Sequence, residues 1–236
     1  MTIKSRQDID SDLVTRVERL LSADDQKAVS SWRIFKIMSE FVQGFEFLSH
    51  YDQSVTFFGT ARCDFSDKVY REATKLAEML AREGFAVVTG GGPGVMEAAN
   101  HGAHKVDSDQ SIGLNIQLPH EQRTNQYVGK SQSFSYFFTR KVMLAFSSEA
   151  YIYFPGGFGT LDEFFEIITL IQTKKLDPVP VVLVGKDFWG PLVDFLTHKV
   201  QEESGAINKE DLGLFHVAEN AEDAFDYLQK HFSAGA

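Results

Sequence analysis

From Ser54 onward, short apolar runs alternate with amphipathic segments along the chain. The apolar runs predict strands over Val55–Phe58, Phe85–Thr89, Ile112–Leu118, Ala150–Phe154 and Val181–Val184. Apolar positions at helical spacing predict helices over Asp67–Glu83, Pro93–Lys105, Phe137–Ser148, Thr160–Thr173, Leu192–Val200 and Ala221–His231. Strands that are apolar on both faces are typical of a parallel sheet covered by helices on both sides. The pattern therefore predicts an α/β protein with a doubly wound parallel sheet.

Residues 1–50 follow a different pattern. One helix is predicted by Leu13, Val17 and Leu20, and a second by Ile34, Met38, Phe41, Phe45 and Leu48. Ser30 and Ser31 stand where the second helix would be capped. We therefore predict an N-terminal helical extension over 1–50 and one α/β domain over 51–236.

Charge and composition narrow the classes of function. The chain carries 23 Lys and Arg against 33 Asp and Glu, a formal net charge of −10, which disfavours a nucleic-acid partner. An anionic ligand would need a locally electropositive pocket. The single cysteine, Cys63, excludes an internal disulfide and any multi-cysteine zinc site. Charged residues near the N-terminus and the lack of a run of ~18 apolar residues predict a cytoplasmic protein without signal peptide or membrane partner.

Two glycine-rich turns follow predicted strands at the edge where parallel sheets bind ligands. They read Gly90-Gly91-Gly92-Pro93-Gly94 and Pro155-Gly156-Gly157-Phe158-Gly159. A helix that starts after such a turn offers free backbone amides and a positive end to an anion. Neither turn fits G-x-G-x-x-G, and no P-loop is present, which disfavours a dinucleotide oxidoreductase and a P-loop NTPase. A tight connection between strand and helix would explain either turn alone, but two at one edge favour phosphate or nucleotide binding.

Thr160 and Glu163 admit two explanations. Thr160-Leu161-Asp162-Glu163 has the form of a capping box, in which both side chains serve only the helix start. Alternatively, the Thr160 hydroxyl binds a phosphate and Glu163 faces the cleft about one helical turn further along. The residues alone slightly favour the capping box.

The segments Gly90–Asn100, Thr139–Lys141 and Pro155–Glu163 resemble the LOG family. Its members are cytokinin riboside 5′-monophosphate phosphoribohydrolases and bacterial nucleotide nucleosidases, often labelled lysine decarboxylases. The resemblance covers roughly Ser54 to Val200, and the first turn together with the segment Leu114–Pro119 is similar to the longer bacterial branch. It implies a Rossmann-like fold and hydrolysis of AMP-like or cytokinin nucleotides to free base and ribose 5-phosphate. It also implies no cofactor, no metal and a homodimer or higher homo-oligomer.

The resemblance also assigns site residues. It makes Arg140 and Glu163 catalytic, and it places the phosphate at Gly156, Gly157, Gly159 and Thr160. It places the nucleotide along Gly90, Gly91, Gly92 and Gly94. A carboxylate at residue 163 can stabilise an oxocarbenium-like C1′ or orient water, whereas an arginine, being always protonated, suits oxygen binding. Lys141 should be mostly solvated, and Glu97 should favour the helix dipole rather than contact ribose.

Several other residues have chemistry that could serve a function. His101 and His104 have a spacing that can share a metal, but a solvated helix face explains them better. Tyr127, Tyr136 and Phe158 could stack on a base, although such residues are commonly core. No lysine stands in a recognisable Schiff-base setting, which disfavours a pyridoxal decarboxylase. The alternative function is a non-catalytic nucleotide or cofactor carrier or sensor on the same fold, because phosphate loops alone do not imply turnover.

Overall fold

The computed structural model describes residues 23–117 and 124–234. Seven strands form one parallel sheet in the order β4-β3-β2-β1-β5-β6-β7. They are β1 (Ser54–Phe58), β2 (Ala86–Thr89), β3 (Ser111–Ile116), β4 (Lys130–Phe134), β5 (Ala150–Tyr153), β6 (Val181–Val184) and β7 (His216–Ala218). The predicted doubly wound α/β fold is confirmed, and all five predicted strands are present.

The two strands that the pattern missed are the edge strands. In β4, the sequence Lys-Ser-Gln-Ser-Phe buries only Phe134, so it lacks the apolar run of a strand covered on both faces. β7 has three residues, too few to show a period. Both pair with the sheet on one side only.

The helices are α1 (Ala23–Leu48), α2 (Lys68–Arg82), α3 (Val95–His104), α4 (Phe137–Ala145), α5 (Phe158–Gln172), α6 (Lys186–Phe195) and α7 (Ala221–Ala234). All six helices predicted after Ser54 are present, with three notable shifts. α3 begins after Gly94, so Pro93 lies outside its first turn. α5 begins two residues before Thr160. α6 begins at Lys186, contains Pro191 and continues as a π-helix over Leu196–Glu203.

The N-terminal part is described from residue 23. The predicted second helix is confirmed as α1, but its predicted start at Ser30 or Ser31 is wrong, because Ala23 to Ser30 are already helical. The predicted helix over Leu13 to Leu20 lies outside the described residues. The chain divides into two compact units, Met1–Gln43 and Gly44–Ala236. The boundary between these units lies inside α1 and does not show whether either part folds alone. The division at residue 50 therefore stays a prediction.

Packing on the two faces of the sheet explains the strand sequences. On one face, Val55 and Phe57 of β1 pack in a core with residues of α2, α3 and α7. On the other face, Phe58 stacks on Tyr153, which meets Phe164 of α5 edge to face. Because both faces are covered, the central strands are apolar throughout. Within the described ranges, no helix is both long and apolar enough to cross a bilayer.

The strand order locates the binding edge. From β1 the chain moves outward through β2, β3 and β4, then returns to place β5 on the other side of β1. The direction of winding therefore reverses between β1 and β5. In doubly wound sheets, ligands bind at the carboxyl ends of the strands that flank this reversal.

Candidate functional site

A cavity of about 810 Å³ opens where the carboxyl ends of β1 and β5 meet. Its walls come from four segments, which are the loop after β1, the loop after β5, α4 and the start of α5, together with Met96 and Phe188. The lining residues are Phe58–Arg62, Met96, Phe137, Arg140, Leu144, Pro155–Thr160, Asp162, Glu163 and Phe188. The cavity thus includes six of the ten predicted site residues: Arg140, Gly156, Gly157, Gly159, Thr160 and Glu163.

The loop after β5 presents the start of α5 to this cavity. Gly157 is the N-cap, and no side chain caps the helix. The capping-box interpretation of Thr160 is therefore wrong, because Thr160 lies inside the first turn and Leu161 donates to the Gly157 carbonyl. The first amides of a helix have no partner within it, so those at residues 158–160 are available to an anion. A Cβ at Gly156 would overlap Thr160 Oγ1, which explains the glycine there.

Glu163 lies on the next turn of α5, lines the cavity and is only 9% exposed. Its backbone carbonyl accepts a hydrogen bond of 3.1 Å from Tyr153 Oη, which ties this turn of α5 to β5. Burial raises the pKa of Glu163 to about 8; the charge and hydrogen bond of Glu166 act in the same direction, whereas Lys141 lowers it. Glu163 therefore keeps its proton to higher pH than an ordinary carboxyl group does.

Arg140 approaches the same cavity from α4. Its Nε donates to the Leu114 carbonyl at 2.7 Å, and its guanidinium lies 5.9 Å from the centre of the Phe137 ring. Burial lowers the pKa of Arg140 from its ordinary value, and the Glu163 carboxylate opposes that change. A Cβ at Gly90 would overlap Arg140 Nη2, so the glycine leaves room for the guanidinium against the backbone. The cavity thus brings a fixed cation and a buried carboxyl group together.

Lys141 is engaged rather than solvated, so that prediction is wrong. Its Nζ lies 2.6 Å from Asp162 Oδ2 and 3.2 Å from Glu166 Oε2. Burial opposes the charge, but these hydrogen bonds and the nearby Glu163 raise the pKa of Lys141 overall. Adjacent residues on a helix do point apart, yet α5 packs against the side of α4 that carries Lys141. The sequence does not show which helix lies there.

The glycine turn after β2 supports the site from one strand away. The Gly91 amide donates to Thr89 Oγ1, and the Gly92 carbonyl accepts from Asn125 Nδ2. Gly94, with a φ of 73°, packs against the backbone of the loop after β1, where a Cβ would overlap the Thr60 carbonyl. Among the described residues, Met96 lines the cavity, whereas Gly90, Gly91, Gly92 and Gly94 do not. Their contact with a nucleotide stays a prediction.

A buried polar network holds this turn in place. Thr89 Oγ1 donates to Asn100 Oδ1 at 2.6 Å, and Asn100 Nδ2 donates to Ser111 Oγ at 3.0 Å. Asn125 Nδ2 also donates to Asn100 Oδ1, at 3.0 Å. Asn100 is fully buried on α3, so it joins β2, α3, β3 and the turn through one side chain.

The remaining candidate residues lie elsewhere. His101 is half-buried and stacks on Tyr127, with ring centres 4.2 Å apart, so its predicted solvation is wrong, whereas His104 is exposed as predicted. In the described part of the chain, no group of three His, Cys, Asp or Glu could hold a metal. Burial and Asp67 raise the pKa of Cys63 to about 11, which leaves its thiol unreactive at neutral pH. Of the candidate stacking residues, only Phe158 lines the cavity.

The sequence interpretation missed Thr60 and Arg62, which line the cavity from the loop after β1. This loop has no glycine-rich pattern, so its sequence does not indicate a ligand site. Its importance follows from the strand order, which places β1 beside β5 at the reversal of winding.

Comparison with known proteins identifies the family. A family model described as "Possible lysine decarboxylase" matches residues 96–228. The cytokinin riboside 5′-monophosphate phosphoribohydrolase LOG of rice (Oryza sativa) is 32% identical over 132 residues, which make up 55% of this chain and 54% of that protein. The probable phosphoribohydrolase LOGL3 of rice is 30% identical over 169 residues, 69% of this chain and 77% of that protein. The chain belongs to the LOG family.

Solved structures of other proteins show a similar fold. The molybdenum cofactor carrier protein of Chlamydomonas reinhardtii superposes with a TM-score of 0.55 at 23% identity, over 77% of this chain and 98% of that one. Likeness at this identity extends to the fold alone. The chain spans about half the length of the rice LOG protein.

Proposed function

We propose that this LOG-family protein hydrolyses the N-glycosidic bond of nucleoside 5′-monophosphates, with AMP or a cytokinin nucleotide as substrate. The observation that carries the proposal is that the free amides at the start of α5, the Arg140 guanidinium and the Glu163 carboxyl group border one cavity. The names of the rice relatives, both phosphoribohydrolases, support the same reaction.

The geometry supports a division of roles along the substrate. The 5′-phosphate binds the amides at residues 158–160, where the helix end is positive. Glu163 lies about one helical turn, roughly 5 Å, further along α5, which places its carboxyl group beside the sugar. Arg140 binds ribose or phosphate oxygens from the opposite wall. The phosphate thus anchors the sugar, and nucleosides without phosphate should react poorly.

The reaction breaks the bond between C1′ and the base nitrogen. Positive charge develops at C1′ as that bond lengthens, and the Glu163 carboxylate stabilises it and orients the attacking water. The water oxygen bonds to C1′, and one water proton goes, directly or through solvent, to the nitrogen of the leaving nucleobase. The products are the free nucleobase and ribose 5-phosphate. The active form in this proposal is the carboxylate, and because the pKa of Glu163 is raised, this form appears at higher pH than for an ordinary carboxyl group.

A panel of nucleoside 5′-monophosphates tests the proposal, with free base and ribose 5-phosphate measured as products. Glu163→Gln and Arg140→Ala should each lower kcat by at least 100-fold, because each removes a group that faces the reacting sugar. Glu97→Gln and Arg82→Ala are matched controls, since neither residue lines the cavity. Release that is insensitive to both site variants would contradict the assignment. Tight binding without release would favour the carrier alternative.

We also propose that the protein is a homodimer or higher homo-oligomer in the cytoplasm, with a catalytic domain over 51–236. α1 supports self-association, because Trp32, Phe35 and Met38 lie three residues apart and are each more than half exposed. A second copy would remove this apolar stripe from water. The double variant Phe35→Glu, Met38→Glu should reduce the molar mass measured by light scattering to that of a monomer; an unchanged mass would show that α1 is not the interface.

A further inference from the structure

The loop after β1 is held firmly between the two glycine turns. The Thr60 amide donates to the Pro155 carbonyl at 2.9 Å, and the Val95 amide donates to the Thr60 carbonyl at 2.9 Å. Thr60 Oγ1 in turn accepts from the Arg62 amide at 3.1 Å. The backbone of Arg62 is therefore positioned relative to both turns, at the reversal of winding where ligands bind.

The two arginines that line the cavity, Arg62 and Arg140, differ in burial and in the partners of their guanidinium groups. Arg140 is half-buried, donates to the Leu114 carbonyl and lies near Glu163. Arg62 is exposed, and within residues 23–117 and 124–234 no carboxylate lies within ion-pair distance of its guanidinium. Of the acidic lining residues, Asp162 is paired with Lys141 instead. Arg62 is thus the cavity cation whose hydrogen-bonding capacity remains available to a ligand.

The ligand's charge requires such a cation. A 5′-phosphate carries close to two negative charges at neutral pH, and the chain as a whole carries −10. The amides of α5 and its dipole neutralise only part of that charge, roughly half an elementary charge. Guanidinium has a planar fork of donors that matches two phosphate oxygens, so an arginine at the cavity wall is chemically suited to supply the remainder.

We propose that Arg62 binds the substrate phosphate from the β1 side of the cavity, opposite the amides at the start of α5. Thr60 assists, because its hydroxyl oxygen accepts from the Arg62 amide and keeps its own proton to donate to a phosphate oxygen. This assignment rests on the proposed function insofar as it takes the ligand to be a sugar phosphate. It makes Arg62 a determinant of selectivity for phosphorylated over unphosphorylated nucleosides.

The assignment predicts a specific pattern of effects. Arg62→Ala should weaken ribose 5-phosphate binding by about 10- to 100-fold, the usual loss for a charge-assisted hydrogen bond. The KM for AMP should rise by a similar factor, with a smaller change in kcat, since the group to which we assign the chemistry at C1′ is Glu163 and not Arg62. Arg62→Lys should retain part of the affinity, because it keeps the charge but not the fork.

Calorimetry with ribose 5-phosphate, on the full chain, tests the assignment directly. Arg71→Ala is the matched control, because Arg71 is an exposed arginine that donates to the Ser66 carbonyl and lies outside the cavity wall. Hydrolysis of adenosine, which lacks the phosphate, should be equally slow in the wild type and in Arg62→Ala. A general loss of structure would lower that residual rate as well.

The outcomes separate this inference from the proposed function. Weaker ribose 5-phosphate binding in Arg62→Ala, with the melting temperature and adenosine rate unchanged, supports the assignment even if the wild type releases no base from AMP. In that case the hydrolysis fails and the phosphate site stands. Affinity within twofold of wild type in Arg62→Ala, or no binding of ribose 5-phosphate to the wild type, overturns the assignment whatever the turnover.

Discussion

Lys141 Nζ lies 2.6 Å from Asp162 Oδ2 and thereby joins α4 to α5. The neighbouring residue on each helix, Arg140 and Glu163, faces the cavity. The ion pair therefore links the two helices that carry the groups to which we assign the chemistry. Lys141 also lowers the pKa of Glu163, so its loss should be detectable in the pH dependence of the reaction.

Lys141→Gln should move the alkaline rise of kcat/KM to higher pH. The carboxylate is the active form in our proposal, so kcat/KM should increase as pH rises through the pKa of Glu163, about 8 in the free protein. Removing the Lys141 charge removes a factor that lowers this pKa. A pH–rate profile from pH 6 to 10 measures the inflection, and an inflection at lower pH than wild type would contradict the prediction.

Glu166→Gln should shift the same inflection in the opposite direction. Glu166 raises the pKa of Glu163 by its negative charge and through their hydrogen bond. A neutral amide removes the charge, so Glu163 should lose its proton at lower pH and the variant should be more active than wild type at pH 7. Opposite shifts in the two variants would be hard to obtain from a general disturbance of the α4–α5 packing. Shifts of the same sign would count against Glu163 as the titrating group.

Glu163→Gln should abolish turnover yet stabilise the fold above neutral pH. The folded-state pKa of about 8 exceeds the ordinary value of 4.5, so the folded protein holds a proton that the unfolded chain has released. Stability should therefore decline as pH rises from about 4.5 to 8. Gln lacks this proton equilibrium. Urea unfolding at pH 5 and pH 8.5 should show the advantage of the variant only at the higher pH; an equal difference at both would refute this account.

Gly90→Ala should impair catalysis more than stability. The φ of Gly90 is not positive, so alanine is not strained there, but its Cβ would overlap Arg140 Nη2 and displace the guanidinium. We expect kcat/KM to fall about 10- to 100-fold, with a loss of stability near 1 kcal/mol. Gly213→Ala is the matched control, since no heavy atom lies within 4 Å of the added Cβ, the φ of Gly213 is not positive and Gly213 does not line the cavity. It should leave activity unchanged.

Much of the fold could be predicted from the chain, for identifiable physical reasons. Val181–Val184 is apolar at every position because both faces of its strand are covered, and the predicted bounds match. The edge strand Lys130–Phe134 has mostly exposed side chains and shows no such run. The pattern of apolar residues along a segment reflects how much of the segment is buried. An edge strand is only partly buried, so its sequence lacks that pattern.

The sequence predicts the part of the candidate site whose residues lie close together in one segment of the chain. The start of α5 holds its glycines, Thr160 and Glu163 within a few residues of each other, and they face one cavity. The position of Arg62 at the cavity and the ion pairs of Lys141 depend on which strands and helices become neighbours. That adjacency arises from the order of strands in the sheet, which no local periodicity encodes.

The hydrogen-bonded side chains around Asn100 have a consequence for affinity. Thr89, Ser111 and Asn125 each form a hydrogen bond with the buried side-chain amide of Asn100, and none of these bonds requires a ligand. The turn after β2 is therefore already organised for the nucleotide that we propose as substrate, and little conformational entropy would be lost there on association. The free energy of contact with the sugar phosphate remains available for affinity and for orientation at C1′.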